Sequence, residues 1–243
     1  CRALMRECLR VLRNQIGLTV MRNFFFKVFI TCFLSMHPAS VFAENVERIL
    51  FAGSELLYPL PEGFCNITED LQGIVLKEIL DKQKNPMLPV AQIIIRPCQP
   101  NNPNSGYPWG WVGLMKDGSK LTQETVNKMM AKLLENEDLL KKLERQIAKK
   151  SSETLNEVLG IEASMNANEQ RIVWADKDSI LVLGKMSHQL DGNLMTEVYT
   201  SSTTVIEDLY IYTYLYNLEG ANPSGKQMSK LLIDNAPTLK KLN

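Results

Sequence analysis

Eight consecutive residues late in the sequence alternate between a mainly aliphatic side chain and tyrosine, from Leu209 to Tyr216. Successive side chains of a β-strand point to opposite faces of its sheet. The alternation therefore predicts a strand that carries four phenols on one face and aliphatic side chains on the other. The four tyrosines are Tyr210, Tyr212, Tyr214 and Tyr216.

Each of these tyrosines offers an apolar ring with a polar tip, which suits stacking on a sugar or on a partner protein. The alternative is that a packed helix covers the rings while their hydroxyls reach its rim. A second aromatic set, Tyr107, Trp109 and Trp111, borders a loop at 97–110 that is rich in Pro, Asn and Gly. This set predicts a binding edge, with an ordinary hydrophobic plug as the alternative.

The rest of the chain predicts an α+β fold, with an antiparallel sheet of about five to six strands and helices packed on it. Segments rich in β-branched and aromatic residues, separated by turn signals, predict the strands. Apolar residues at helical spacing, together with capping residues, predict the helices. The predicted strands are 90–95, a strand that begins at 109 and ends at the turn 117–118, 171–174, 179–186, 195–200 and 205–216. The predicted helices follow Thr68, Thr122 and Ser224, with a break near Asn136 as an alternative, and one further short helix spans 152–159.

The segment 21–43 has the pattern of a secretory signal peptide. Arg22 and Lys27 provide a positive start, an apolar run follows, and small residues precede a cleavage site after Ala43. His37 and Pro38 interrupt the run before it reaches the length of about 20 residues that spans a bilayer. We therefore expect a single exported domain at 44–243, periplasmic or secreted, without a stable membrane span after cleavage.

Residues 1–20 form an upstream extension in this interpretation. Four arginines lie among leucine and valine, which is also the pattern of a basic helix at a membrane surface. Removal of 1–43 takes away six basic residues and one acidic residue, leaving 21 basic and 26 acidic residues. The resulting net charge of −5, without a basic run, argues against a nucleic-acid partner.

Cleavage would leave two cysteines, Cys65 and Cys98. An even pair in an oxidising compartment predicts a disulfide between them, with two buried free thiols as the alternative. A bridge closing about 34 residues stabilises a fold by roughly 3 to 4 kcal/mol in the chain-entropy model.

No catalytic motif stands out in the sequence. His188 is the single histidine after the predicted cleavage site, and no nucleophile context or metal-ligand spacing surrounds it. We therefore expect no metal, no cofactor and no catalytic residue. Two acidic pairs keep a carboxylate-dependent secreted hydrolase open as the alternative. They are Asp176 with Asp178, and Glu207 with Asp208.

The order of elements resembles the PsbP-like α/β/α sandwich. The likeness rests on the segment from Tyr58 to Phe64, which ends in Pro-Glu-Gly-Phe, followed by a long middle helix, a meander and a last helix after Tyr216. The resemblance implies a noncatalytic protein that binds or assembles with partners, and it transfers no site residue. Our leading hypothesis is an exported noncatalytic binding or assembly protein of the bacterial cell envelope, with a protein partner.

Overall fold

The chain folds into two antiparallel sheets and four helices within residues 46–82, 89–100, 106–116, 118, 120–159, 163–190 and 193–243, which this computed structural model describes. The strands are β1 (Val46–Phe51), β2 (Ser54–Pro59), β3 (Phe64–Asn66), β4 (Val90–Pro97), β5 (Trp109–Lys116), β6 (Ala163–Ala175), β7 (Ile180–Leu190), β8 (Asn193–Ile206) and β9 (Leu209–Leu218). The helices are α1 (Leu71–Lys82), α2 (Gln123–Glu135), α3 (Glu137–Leu159) and α4 (Gly225–Leu242).

Strand β9 lies at the centre of the larger sheet, which has the order β3-β4-β5-β9-β8-β7-β6. Every neighbouring pair in it is antiparallel, and β1 and β2 form a separate hairpin. The predicted α+β class with helices on an antiparallel sheet is confirmed. The sheet has seven strands rather than five to six, because the three-residue β3 joins its edge. Such a short strand leaves no periodic signal in the sequence.

The end of β8 differs from its prediction. Residues 205–216 were expected to form one strand, whereas Glu207 and Asp208 make a two-residue turn between β8 and β9. Glu207 adopts a φ of 53°, as two-residue hairpin turns require at their first position. Glycine or asparagine usually occupies that position, so a glutamate there conceals the turn in the sequence.

Three helix boundaries are now resolved. Asn136 does separate α2 from α3, and its Oδ1 accepts a hydrogen bond from Leu139 N at 3.1 Å. A separate helix after Ser152 was wrong, since α3 continues to Leu159. Thr68 is not the N-cap of α1, because its hydroxyl accepts from Ile94 N at 2.9 Å and so holds the preceding turn against β4.

The face of the sheet opposite the tyrosines packs against α4 and the β1–β2 hairpin. Helix α4 begins with the predicted capping box, in which Ser224 and Gln227 exchange hydrogen bonds. Within this layer, the Tyr58 hydroxyl and the Thr213 hydroxyl lie 2.7 Å apart. The buried cluster includes Ile49, Leu56, Tyr58, Ile211, Leu215, Met228, Leu232 and Leu239.

The tyrosine face carries α1 and α2, so β9 has the predicted alternation of side chains. Tyr210 and Tyr212 pack near α2, and Tyr214 and Tyr216 pack near α1. Layers of helix thus lie on both faces of the sheet. None of the helices in the described part of the chain is long and apolar enough to cross a membrane.

A disulfide joins Cys65 of β3 to Cys98, just after β4, as the sequence predicted. The two Cα atoms are 5.0 Å apart, and 33 positions separate the residues in sequence. The amide of Cys98 also donates to the carbonyl of Gly63 at 2.9 Å. The bridge therefore fastens the short edge strand to β4. The predicted signal peptide at 21–43 and the extension at 1–20 lie outside the described residues.

One buried side chain of helix α2 hydrogen-bonds to the backbone of the sheet. Gln123 accepts from Val205 N at 2.8 Å and donates to Thr203 O at 3.1 Å, so its amide pairs with the backbone of β8. Replacing Gln123 with Ala leaves both backbone groups without these partners, which costs about 1–3 kcal/mol for each buried group left unsatisfied.

We expect Gln123→Ala to lower the free energy of unfolding by about 2 kcal/mol in urea titrations. Lys132→Ala, an exposed position on the same helix, is the control and should change it by less than about 0.5 kcal/mol. Equal effects of the two substitutions would show that the Gln123 amide does not hold α2 to the sheet.

Candidate functional site

The two aromatic sets singled out in the sequence meet on one face of the sheet. Strand β5 pairs with β9 so that Trp109 lies opposite Tyr216 and Trp111 lies opposite Tyr214. Tyr199 lies opposite Tyr216 on its other side, in β8. We call Trp109, Trp111, Tyr199, Tyr214 and Tyr216 the aromatic face.

The rings of this face stack across the strands. Trp109 and Tyr216 have centroids 4.6 Å apart with planes 13° from parallel, and Trp111 and Tyr214 have the same separation with planes at 10°. Tyr199 lies 6.0 Å from Tyr216 in a tilted arrangement. Offset-stacked pairs of this kind add about 0.5–1.5 kcal/mol beyond the area they bury. Part of the ring surface that a sugar would need is therefore already covered by stacking partners.

Exposure divides the candidate residues into two groups. Trp111 and Tyr210 are 7% and 3% exposed, so both belong to the core on the face of the sheet that carries the β9 tyrosines. Tyr210 packs there with Val126 and Ile180. The side chains that remain half-buried are Tyr107, Trp109, Tyr212, Tyr214 and Tyr216. These five are the predicted binding residues whose side chains keep part of their surface in solvent.

The polar atoms of the aromatic face are arranged as neutral donors and acceptors. The indole Nε1 of Trp111 donates to the Tyr216 hydroxyl at 3.3 Å. Burial raises the pKa of the Tyr214 and Tyr216 hydroxyls above the usual tyrosine range, so both stay protonated at physiological pH. Tyr199 lies against Gly184, where a Cβ atom would come within 2.6 Å of its ring. Glycine at this position makes room for the aromatic stack.

A buried acid and a buried base lie on the same side of the sheet. His188 Nε2 and Glu197 Oε2 are 2.8 Å apart, and both residues are less than 9% exposed. Burial raises the pKa of Glu197 to about 8 and lowers the pKa of His188. The sequence did not reveal this pair, because a histidine and a glutamate on separate strands meet only through the β7–β8 register.

The acidic pairs considered for hydrolysis lie in turns. Asp176 Oδ1 accepts from the amides of Asp178 and Ser179 at 2.8 and 2.9 Å, which is a turn-forming role. Asp208 lies within the β8–β9 turn, and its carboxylate forms an ion pair with Lys116 at 3.1 Å. Among the residues with described positions, no group of three or more His, Cys, Asp or Glu side chains is placed to hold a metal ion.

Solved structures that resemble this chain include the two that follow. The solution structure of cyanobacterial PsbP (CyanoP) from Synechocystis sp. PCC 6803 is 13% identical, with a TM-score of 0.36, covering 84% of this chain and 96% of that one. The Ran-binding protein Mog1p of Saccharomyces cerevisiae is 12% identical, with a TM-score of 0.29, covering 82% of this chain and 89% of that one. No family model matches the sequence, and no curated protein matches it. The weak resemblance to PsbP-like proteins is confirmed, and likenesses at this level do not assign a function.

The buried position of Trp111 gives a test of how the aromatic face is built. Truncating a buried aromatic residue costs about 3–5 kcal/mol, so we expect Trp111→Ala to lower the free energy of unfolding by that amount in urea. Trp174→Ala is the matched control, since this tryptophan is 42% exposed, and it should cost about 1 kcal/mol. A loss below about 1 kcal/mol for Trp111→Ala would show that the stack does not contribute to the core.

Proposed function

We propose that this chain is an exported, noncatalytic binding or assembly protein of the bacterial cell envelope, which contacts a protein partner through the aromatic face. The observation that carries the proposal is the half-buried row formed by Trp109, Tyr214 and Tyr216 at the centre of the sheet. Tryptophan and tyrosine are the residue types most enriched where protein interfaces concentrate their binding energy.

The chemistry of this surface favours a protein over a sugar or a nucleic acid. Stacking within the aromatic face covers ring surface that a sugar would use. The net charge of −5 calculated for 44–243 repels nucleic acids. A protein surface with apolar and hydrogen-bonding groups fits these properties.

Two features support export to the periplasm or the medium. The segment 21–43 has the charge and apolar pattern of a signal peptide. Cys65 and Cys98 form a disulfide, and disulfides persist mainly in oxidising compartments. We propose on these grounds that 44–243 works as one exported domain after cleavage.

The alternative of a carboxylate-dependent hydrolase has less support. The carboxylates of Asp176 and Asp208 bind backbone amides and a lysine, respectively, in separate turns. A recess of about 590 Å³ at the α2–α3 junction is open and lies on exposed helix ends. It is lined by Lys132, Glu135, Asn136, Glu137 and Asp138. Binding sites of enzymes are usually deeper and largely apolar.

Site-directed photo-crosslinking tests the proposed surface. A photoreactive phenylalanine derivative replaces Tyr107, which is half-buried beside β5, or Trp174, which is exposed on the edge strand β6. In cells that export the protein, we expect a discrete adduct of higher mass from position 107 and none from position 174. Mass spectrometry of the adduct then identifies the partner.

Trp109→Ala in the position-107 background is the second arm of this experiment. It should abolish the adduct while circular dichroism shows a folded chain, because Trp109 is only half-buried. An equal adduct from both positions, or an adduct unchanged by Trp109→Ala, would refute the aromatic face as the contact surface. Glycoside hydrolysis that is lost in Asp176→Asn would instead support the alternative.

A further inference from the structure

His188 and Glu197 occupy neighbouring strands at positions that face the same side of the sheet. In the β7–β8 register, His188 lies opposite Met195 and Glu197 lies opposite Met186, so the two residues are diagonal neighbours. Diagonal side chains across an antiparallel pair are within reach when they are long. The side chains are only 10% and 6% exposed, and Nε2 and Oε2 are separated by 2.8 Å.

Few of the described side chains around the pair are charged. From the adjoining β-strands, Tyr216 and Tyr199 of the aromatic face lie on the same side of the sheet as Glu197, and burial keeps the Tyr216 hydroxyl protonated by raising its pKa. On α3, which packs against β6, Lys150 is half-buried. Three other charged side chains of that helix point to solvent: Lys149, Glu153 and Glu157 are 79%, 65% and 74% exposed.

A buried ionisable group without compensation favours its neutral form. Burial raises the pKa of the Glu197 carboxyl to about 8, and burial also lowers the pKa of the His188 imidazole. A protonated carboxyl that donates to a neutral imidazole leaves both groups uncharged. The short contact between Oε2 and Nε2 has the geometry of that hydrogen bond.

We propose that His188 and Glu197 form a one-proton site that makes the stability of this fold sensitive to pH above neutrality. The folded pair keeps one proton on the Glu197 carboxyl from mildly acidic to mildly alkaline conditions. Loss of that proton places a carboxylate inside the sheet beside Tyr216, and so destabilises the end of β7 and the start of β8.

The sign of the effect follows from counting protons in the two states. In the unfolded chain, Glu197 titrates near 4.5 and His188 near 6.5. Between these values the folded pair and the unfolded pair each hold one proton, so the pair contributes no pH dependence. Between 6.5 and about 8 the folded pair holds one proton and the unfolded pair none. Stability then falls as pH rises, because the folding equilibrium constant decreases by up to tenfold for each pH unit.

The test measures urea unfolding of the wild-type protein and of Glu197→Gln from pH 4.5 to 9. The ratio of their folding equilibrium constants at each pH isolates the pair from the other titrating groups. We expect the folding equilibrium constant of the wild type to fall roughly 15-fold relative to that of the variant between pH 6.5 and 8. The variant should lose stability below pH 6.5, where its buried His188 resists protonation. Glu62→Gln, an exposed substitution, should keep the wild-type profile.

A carbon NMR titration of the wild-type protein locates the proton without any substitution. The Glu197 carboxyl signal should keep its protonated shift up to about pH 8, while the His188 ring carries a proton on one nitrogen only. A wild-type profile parallel to that of Glu197→Gln between pH 6.5 and 8 would overturn the proposal. A Glu197 carboxyl that is ionised at pH 7 would overturn it equally.

Discussion

The register of β9 is the constraint on which both helical layers depend. Its odd-numbered residues, such as Ile211 and Leu215, complete the cluster beneath α4, and its tyrosines form the opposite surface. A slip by one residue would turn every tyrosine toward α4 and every aliphatic side chain toward α1 and α2. Pairing with β5 on one side and β8 on the other fixes that register along the whole strand.

The aromatic face has a structural part and an accessible part. Trp111 and Tyr199 are each 7% exposed. Their rings pack against Tyr214 and Tyr216 of β9 from the two neighbouring strands. Trp109 and Tyr216 stack on each other but keep part of their surface in solvent. A rigid row of this kind loses little conformational entropy when a partner binds, because its rings are already fixed by one another. The proposed binding role and the stability of the sheet therefore depend on the same contacts.

Local patterns predicted much of this fold from the sequence. The alternation in β9, the capping box of Ser224 and Gln227, and the pairing of Cys65 with Cys98 each depend on few residues. The turn at Glu207 was missed because the residue adopts a positive φ without glycine. Thr68 was misassigned because its hydroxyl bonds to β4 instead of capping α1, a contact made across 26 positions.

The candidate site was predicted only in pieces. The sequence singled out the tyrosines of β9 and the tryptophans of β5. They contact each other only because the two strands pair, which brings together residues 105 positions apart, such as Trp111 and Tyr216. The pair of His188 and Glu197 had no local signature, since each is an ordinary residue in its own strand. Long-range strand pairing is the step that periodicity in one sequence cannot supply.

Amide hydrogen exchange tests the central position of β9 most directly. Each of its amides lies between two paired strands, so the account predicts that Ile211, Thr213 and Leu215 exchange among the slowest in the protein, at rates set by global unfolding. Amides of the edge strand β6 that face away from β7 should exchange much faster. Exchange of β9 at the rate of that outer edge would contradict the account.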